Sequence, residues 1–354
     1  MSGPQNYYMI SNRSYDSTTG AFGSIVAMNG TLTFLSAPVS DPSNFSVTPY
    51  ETWLEAVQND LETVREGRKP AGGPFTPVPP SLATLFVHGY GVSFDHAESA
   101  FSTYFQNLAN PATGNYPGVL IGFDWPSDDI GVWQPGAFQS AKGKAQTTAA
   151  ESFPTQSVAD SLPRLLQVLN EIQSIPVDLT AMCHSMGNYL MFLGAGVFSP
   201  ARGVNPFFSQ ILCVAAMLEN SAFNSSTSQT YCKDIVDAAG RVTVYYSGND
   251  DVLPQAEKSG YDGYPELGIW GPTYGDGTLL SGVAGVDCSA VVNKTNAKIY
   301  EAGQAQVLTH TSYFFIPEVL KDIGQTLQGW NSANMPDRTR VLGTSSGYTM
   351  TAIT

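Results

Sequence analysis

The sequence predicts an α/β protein built on an open, mostly parallel sheet with helices on both faces. Between residues 82 and 217, unbroken apolar runs of strand length alternate with helix-length stretches, the pattern of parallel βαβ crossovers whose strands are covered on both sides. Three such runs end in Val87-His88-Gly89-Tyr90-Gly91, Cys183-His184-Ser185-Met186-Gly187 and Ser247-Gly248-Asn249-Asp250-Asp251. Open α/β sheets carry their sites at the carboxyl ends of the strands.

In chain order, Tyr7 to Ile10, Ser24 to Met28 and Thr31 to Leu35 are short strand-like runs, with Asn29-Gly30 suited to a hairpin turn between the last two. A helix follows. Thr48 is its expected N-cap, Pro49 its first residue and Glu51 its capping-box acid, and Trp53, Leu54, Val57, Leu61 and Val64 recur at helical spacing. Pro70 to Ser81, PAGGPFTPVPPS, is a stiff connector. Strands are expected over Leu82 to Val87, Gly118 to Phe123, Val177 to Met182, Ile211 to Met217 and Arg241 to Tyr246. Helices are expected over Phe94 to Leu108, Val158 to Ile175, from Leu190 to Phe198, and over Tyr313 to Leu327. The chain thus divides into residues 1–81, strands, a helix and the connector packed on the main domain; residues 82–330, the main domain, with 255–308 as an insertion; and a C-terminal tail, 331–354, which is flexible or adds an edge strand.

Composition narrows the function. At 354 residues with 42% hydrophobic side chains, the chain can fill a sizeable core. Only 13% of residues are charged and the formal net charge is −14, so the clustered Lys and Arg that bind nucleic acid are missing. No run approaches the ~20 apolar residues of a membrane-spanning helix, and MSGPQNYYMISNRSYD resembles no signal peptide, so a cytoplasmic location is expected. The cysteines, Cys183, Cys213, Cys232 and Cys288, show no metal-knuckle spacing; a Cys232–Cys288 disulfide stays open as the minor alternative to free thiols.

Acyl transfer needs an exposed nucleophile, a base within reach, an acid that orients the base, and backbone donors for the oxyanion. A serine on a tight strand-to-helix turn meets the first need, and small residues are required two positions before and after it because strand and helix pass close there. Gly187 satisfies this on the helix side. Cys183 stands where glycine is usual on the strand side, larger than glycine but smaller than valine.

HGY after the first strand of the main domain, FDWPS from Phe123, the HSMGN elbow, SGNDDVL, ELGIWGP and the late H-x-SYF occur in this order. From about Tyr7 to Trp330 the chain resembles the α/β-hydrolase superfamily, and within it a widespread, uncharacterised bacterial group of serine hydrolases that is esterase- or lipase-like. The resemblance implies Ser185 as nucleophile, His310 as general base, Asp250 as the orienting acid, and the amides of Tyr90 and Met186 as the oxyanion hole, with His88, Gly89 and Gly187 in support. It implies no cofactor and no metal.

The chain has four histidines. His184 adjoins Ser185 and should point away on the turn, His88 buttresses its loop, and His96 falls early in a helix in a solvated or capping position, which leaves His310 as the base. Asp251 and Glu219 stand as alternatives to Asp250. Asp124, Asp128 and Asp129 with His88 match no ligand spacing and read as a solvated acidic loop beside Trp125. Trp125, Tyr261, Tyr264 and Trp270, with Trp133 and Tyr274, are candidates for a substrate pocket. The segment 255–308 is a candidate lid. The expected function is hydrolysis of a small-molecule or lipid-like carboxylic ester. Acyl transfer or amide cleavage with the same residues, and a non-catalytic binding protein on the same fold, are the alternatives.

Overall fold

The computed structural model describes residues 3–68, 78–127, 137–153, 164–201, 206–224, 230–258, 265–272, 279–301, 308–341 and 346–350. Most of the connector, together with Asp128, Asp129, Trp133, Tyr261, Tyr264 and Tyr274, lies outside them. The strands are β1 (Asn6–Ser11), β2 (Arg13–Asp16), β3 (Ala21–Val26), β4 (Thr33–Pro38), β5 (Ser46–Val47), β6 (Ser81–Val87), β7 (Val119–Asp124), β8 (Val177–His184), β9 (Gln210–Val214), β10 (Val242–Tyr246), β11 (Val283–Asp287), β12 (Arg338–Arg340) and β13 (Gly347–Met350). The helices are α1 (Tyr50–Gly67), α2 (Phe94–Ala109), α3 (Ala137–Ser152), α4 (Arg164–Ile172), α5 (Gly187–Ala201), α6 (Thr230–Ala238), α7 (Leu253–Lys258), α8 (Leu267–Trp270), α9 (Lys294–Tyr300) and α10 (Pro317–Leu327).

Eleven strands form one sheet in the order β12-β13-β11-β10-β9-β8-β6-β7-β1-β4-β5. From β13 to β1 every pairing is parallel, and antiparallel pairs occur only at the two edges. The central strands β6, β7 and β9 are buried at every residue, as their unbroken apolar runs require. The chain runs from β6 to β7 on one side, then crosses back to β8 on the other side of β6 and continues outward through β9 and β10. The order therefore reverses beside β6, and that switch point is where a crevice opens at the strands' carboxyl ends.

The N-terminal segment enters this sheet rather than only packing on it. β1 lies parallel to β7, and β4 pairs antiparallel with β1. The expected hairpin at Asn29-Gly30 is not formed. Asn29 and Gly30 take the left-handed φ values, 59° and 63°, that such a turn needs, but β3 pairs back with β2 while β4 goes to β1. α1 starts one residue later than expected. Pro49 occupies the N-cap position without a side-chain bond, and the Thr48 hydroxyl donates to Ser46 O at 3.2 Å instead. Trp53, Val57, Leu61 and Val64 form its buried face, and buried Asp60 on the same helix accepts the amides of Gln5 and Asn6 and the Tyr8 hydroxyl.

One further expectation changes. The segment 255–308 is not wholly an insertion above the sheet, since β11 within it pairs with both β10 and β13. Residues 338–340 and 347–350 of the tail form the edge pair β12–β13. Cys288 is a free, buried thiol, as are Cys183 and Cys213, and its sulfur faces Met350 Sδ at 3.6 Å rather than a disulfide partner.

Candidate active site

Ser185 sits between the end of β8 and the start of α5 with φ +52°. A left-handed serine costs about 1–2 kcal/mol, so neighbouring bonds must hold it. Its amide donates to Val214 O at 3.0 Å, its carbonyl accepts Met217 N at 3.2 Å, and Asn188 Nδ2 reaches Cys183 O at 2.9 Å and Ser185 O at 3.1 Å. The close passage over β6 excludes side chains. A Cβ on Gly187 would lie 2.5 Å from Val87 O and 2.6 Å from His88 O, and one on Gly89 would lie 2.7 Å from Ser185 Cβ. Cys183 is fully buried and pairs across the sheet with Cys213, so the strand side admits its small side chain. Met186 lies just before α5, where amides have no acceptor inside the helix.

His310 precedes the 3-10 turn Ser312–Phe314. Its Nδ1 bonds Asp250 Oδ2 at 2.6 Å, and both residues are buried. Asp250 Oδ1 accepts the amides of Val252 and Leu253, each at 2.9 Å. Burial pushes the Asp250 carboxyl upward, but the facing His310, its hydrogen bond and these two amides outweigh burial and hold it below the usual carboxylate range. Asp251 faces backbone instead, 3.3 Å from Thr309 N and 3.4 Å from His310 N. Glu219 accepts the Ser221 hydroxyl. Of the three carboxylates considered, Asp250 is the one bonded to the ring.

Ser185 and His310 border one cavity of about 270 Å3, along with Phe86, Val92, Tyr104, Met217, Leu253 and Leu308. Among the described residues the His310 ring bonds Asp250, and no hydrogen bond joins it to the Ser185 hydroxyl. All four histidines of the chain border this cavity. His184 does not point away. Its Nε2 donates to His310 O at 3.0 Å, and burial, then the neighbouring His310, hold its pKa down at about 3. His96 is exposed at the cavity, and Ser93, whose hydroxyl accepts His96 N at 3.3 Å, caps α2.

Tyr90 borders the cavity, whereas Trp125 does not. Trp125 is fully buried beneath the loop, stacked on His88 and donating from Nε1 to His88 O at 2.9 Å, so it supports the loop rather than touching a ligand. Trp270 is 62% exposed at the end of α8 and is absent from the cavity wall. Asp124 is not solvated. It is fully buried and paired with Arg13 at 2.9 Å. Among the described residues no group of three His, Cys, Asp or Glu side chains is gathered to hold a metal ion. Asn188 and Arg13 were missed by sequence reasoning.

Residues 81–263, more than half of the chain, match the family model described as an alpha/beta hydrolase of unknown function (DUF900). The chain belongs to this family. The mostly parallel sheet with its helices is accordingly an α/β-hydrolase fold. No curated protein matches this hydrolase. Among solved structures it is similar to carboxyl esterase 2 of the mycorrhizal fungus Tuber melanosporum (10% identity, 71% of this chain and 80% of that one, TM-score 0.33). It is also similar to Aspergillus fumigatus lipase B (11%, 90% and 62%, TM-score 0.39). A third similar structure is EstE1, a thermophilic carboxylesterase cloned from a metagenomic library (11%, 80% and 97%, TM-score 0.32).

Proposed function

We propose that the protein is a serine hydrolase that cleaves a carboxylic ester through an acyl-enzyme on Ser185. The observation that carries this reading is the His310–Asp250 bond of 2.6 Å beside a left-handed serine on the same cavity. With Nδ1 committed to Asp250, Nε2 is the ring nitrogen left to act as base. It takes the Ser185 proton as Oγ bonds the ester carbon. The oxyanion then accepts the amides of Met186 and Tyr90. Collapse breaks the C–O bond, and the leaving alkoxide receives the proton from His310. A water, deprotonated by the same nitrogen, attacks the acyl carbon; Ser185 recovers its proton and the carboxylic acid departs.

Among the described residues the cavity wall is mainly apolar and, apart from histidines, carries no titratable group but the phenols of Tyr90 and Tyr104, which fits an uncharged acyl group. A fluorophosphonate should add to Ser185, read by peptide mass, and Ser185→Ala should abolish the adduct. His310→Ala should slow labelling ~10³-fold or more. A folded wild-type protein that is neither labelled nor active on short-chain 4-nitrophenyl esters overturns the reading.

A further inference from the structure

Arg13 lies outside the family-matched segment, yet it ends at the site. The parallel pairing of β1 with β7 sets Ser11 opposite Asp124, and Asn12 N donates to Asp124 O at 3.0 Å. This register delivers Arg13 to the carboxyl end of the sheet, the end that bears Ser185. The guanidinium is buried, with a side-chain exposure of 1%. Its Nε contacts both Asp124 oxygens at 2.9 and 3.0 Å, Nη1 reaches Gly23 O at 3.3 Å, and Nη2 reaches Val92 O at 2.6 Å and Trp125 O at 3.0 Å. Asp124 also accepts the Ser11 hydroxyl at 2.6 Å and meets His88 Nε2 at 3.2 Å.

These bonds hold both ends of the 88–92 loop. At its far end, Val92 O is taken by Arg13, Val92 N donates to Ser127 Oγ at 3.1 Å and Gly91 N donates to Ser127 O at 3.1 Å. At its near end, His88 Nδ1 bonds Gly89 O at 2.9 Å. A carbonyl oxygen only accepts, so Nδ1 carries the proton, and Nε2 accepts Trp125 N at 3.1 Å, while Trp125 O is held by Arg13. The Gly89–Tyr90 peptide is planar and trans, so its C=O and N–H point in opposite directions. A grip on Gly89 O therefore sets the direction of Tyr90 N–H.

We propose that Arg13 is a positioning residue for the oxyanion-binding amide of Tyr90, acting through Trp125 and His88. The proposal rests on the serine-hydrolase reading above. Lysine can satisfy Asp124 but lacks the planar fork that also reaches Val92 O and Trp125 O. A double replacement by leucine removes both buried charges, a change that buried pairs often tolerate in stability.

The test measures kcat, KM and thermal unfolding with 4-nitrophenyl butyrate for wild type, Arg13→Lys and Arg13→Leu/Asp124→Leu. The expected result is a fall in kcat of ~10-fold for Arg13→Lys and ~100-fold for the double variant, a fraction of what losing an oxyanion donor costs. KM should stay within about twofold, because a donor used mainly in the transition state contributes little to ground-state binding. A folded double variant with wild-type kcat overturns the proposal. If wild type itself is inactive and unlabelled by fluorophosphonate, the hydrolase reading fails separately. Amide exchange over residues 88–92 then tests the anchor, and unchanged exchange in Arg13→Lys overturns it.

Discussion

Asn188 holds the elbow from within. Its single Nδ2 group serves three carbonyls, Cys183 O, Ser185 O and Val214 O, the last at 3.4 Å, and the residue is buried. Removing it leaves those oxygens to share fewer donors around a left-handed serine. Asn188→Ala is expected to lose about 1–3 kcal/mol in urea unfolding and to lower kcat more than it raises KM; wild-type values for both would show that Val214 O and Met217 N hold Ser185 unaided. Ser185 was legible in the sequence because the requirements of its turn are local: an apolar strand before it and Gly187 after it. The choice among Asp250, Asp251 and Glu219 was not, because neighbouring carboxylates point to opposite partners, one to the ring of His310 and one to its backbone. Arg13 was invisible for a further reason. Its partner Asp124 is 111 positions away, and only the β1–β7 register joins them.

At the scale of elements, the strands of the sheet's centre were legible because burial on both faces writes itself as an apolar run. Their neighbours were less so. α3 buries Ala141, Ala145 and Ala149, a face of small residues that leaves no apolar stripe of the usual size. The edge pair β12–β13 has little apolar pattern because Arg338 anchors it. That side chain is buried and donates to Asp322 Oδ1 at 2.7 Å and Oδ2 at 2.8 Å, Tyr245 OH at 2.9 Å and Thr326 Oγ1 at 2.7 Å. β12 is thereby tied to α10, which follows the His310 loop. Arg338→Met strands the Asp322 carboxylate in the interior and is expected to cost about 3–5 kcal/mol in chemical unfolding. Adding Asp322→Leu should recover most of that loss. If the double variant is no more stable than the single, the anchor is a matter of packing around the guanidinium rather than of charge.

Across the whole molecule, β6, β8 and β10 and the segment before α10 converge on one end of the sheet, and the buried histidine between them ties folding to pH. His184 is enclosed with His310, Asp250 and His88 close enough to act on its charge; burial and His310 depress its pKa to about 3, against an ordinary value of about 6.5. In the unfolded chain this ring takes up a proton below about pH 6.5, while in the fold it stays neutral and donates from Nε2 to His310 O. The unfolded state therefore binds more protons between these two values, so stability from this group rises with pH and is lost on acidification, by about 1.4 kcal/mol per pH unit once the unfolded ring is mostly protonated. Asp124 and Asp250, both held below the carboxylate range despite burial, lose their contribution only at lower pH, beneath about 3.9 where their unfolded counterparts protonate. The interval from pH 7 to pH 5 thus isolates His184 from the two carboxylates. His184→Gln keeps a donor for His310 O and removes the titration. Urea unfolding at pH 7 and pH 5 should show the variant losing about 2 kcal/mol less than wild type over that interval, and equal losses would mean that His184 takes up its proton within the folded protein.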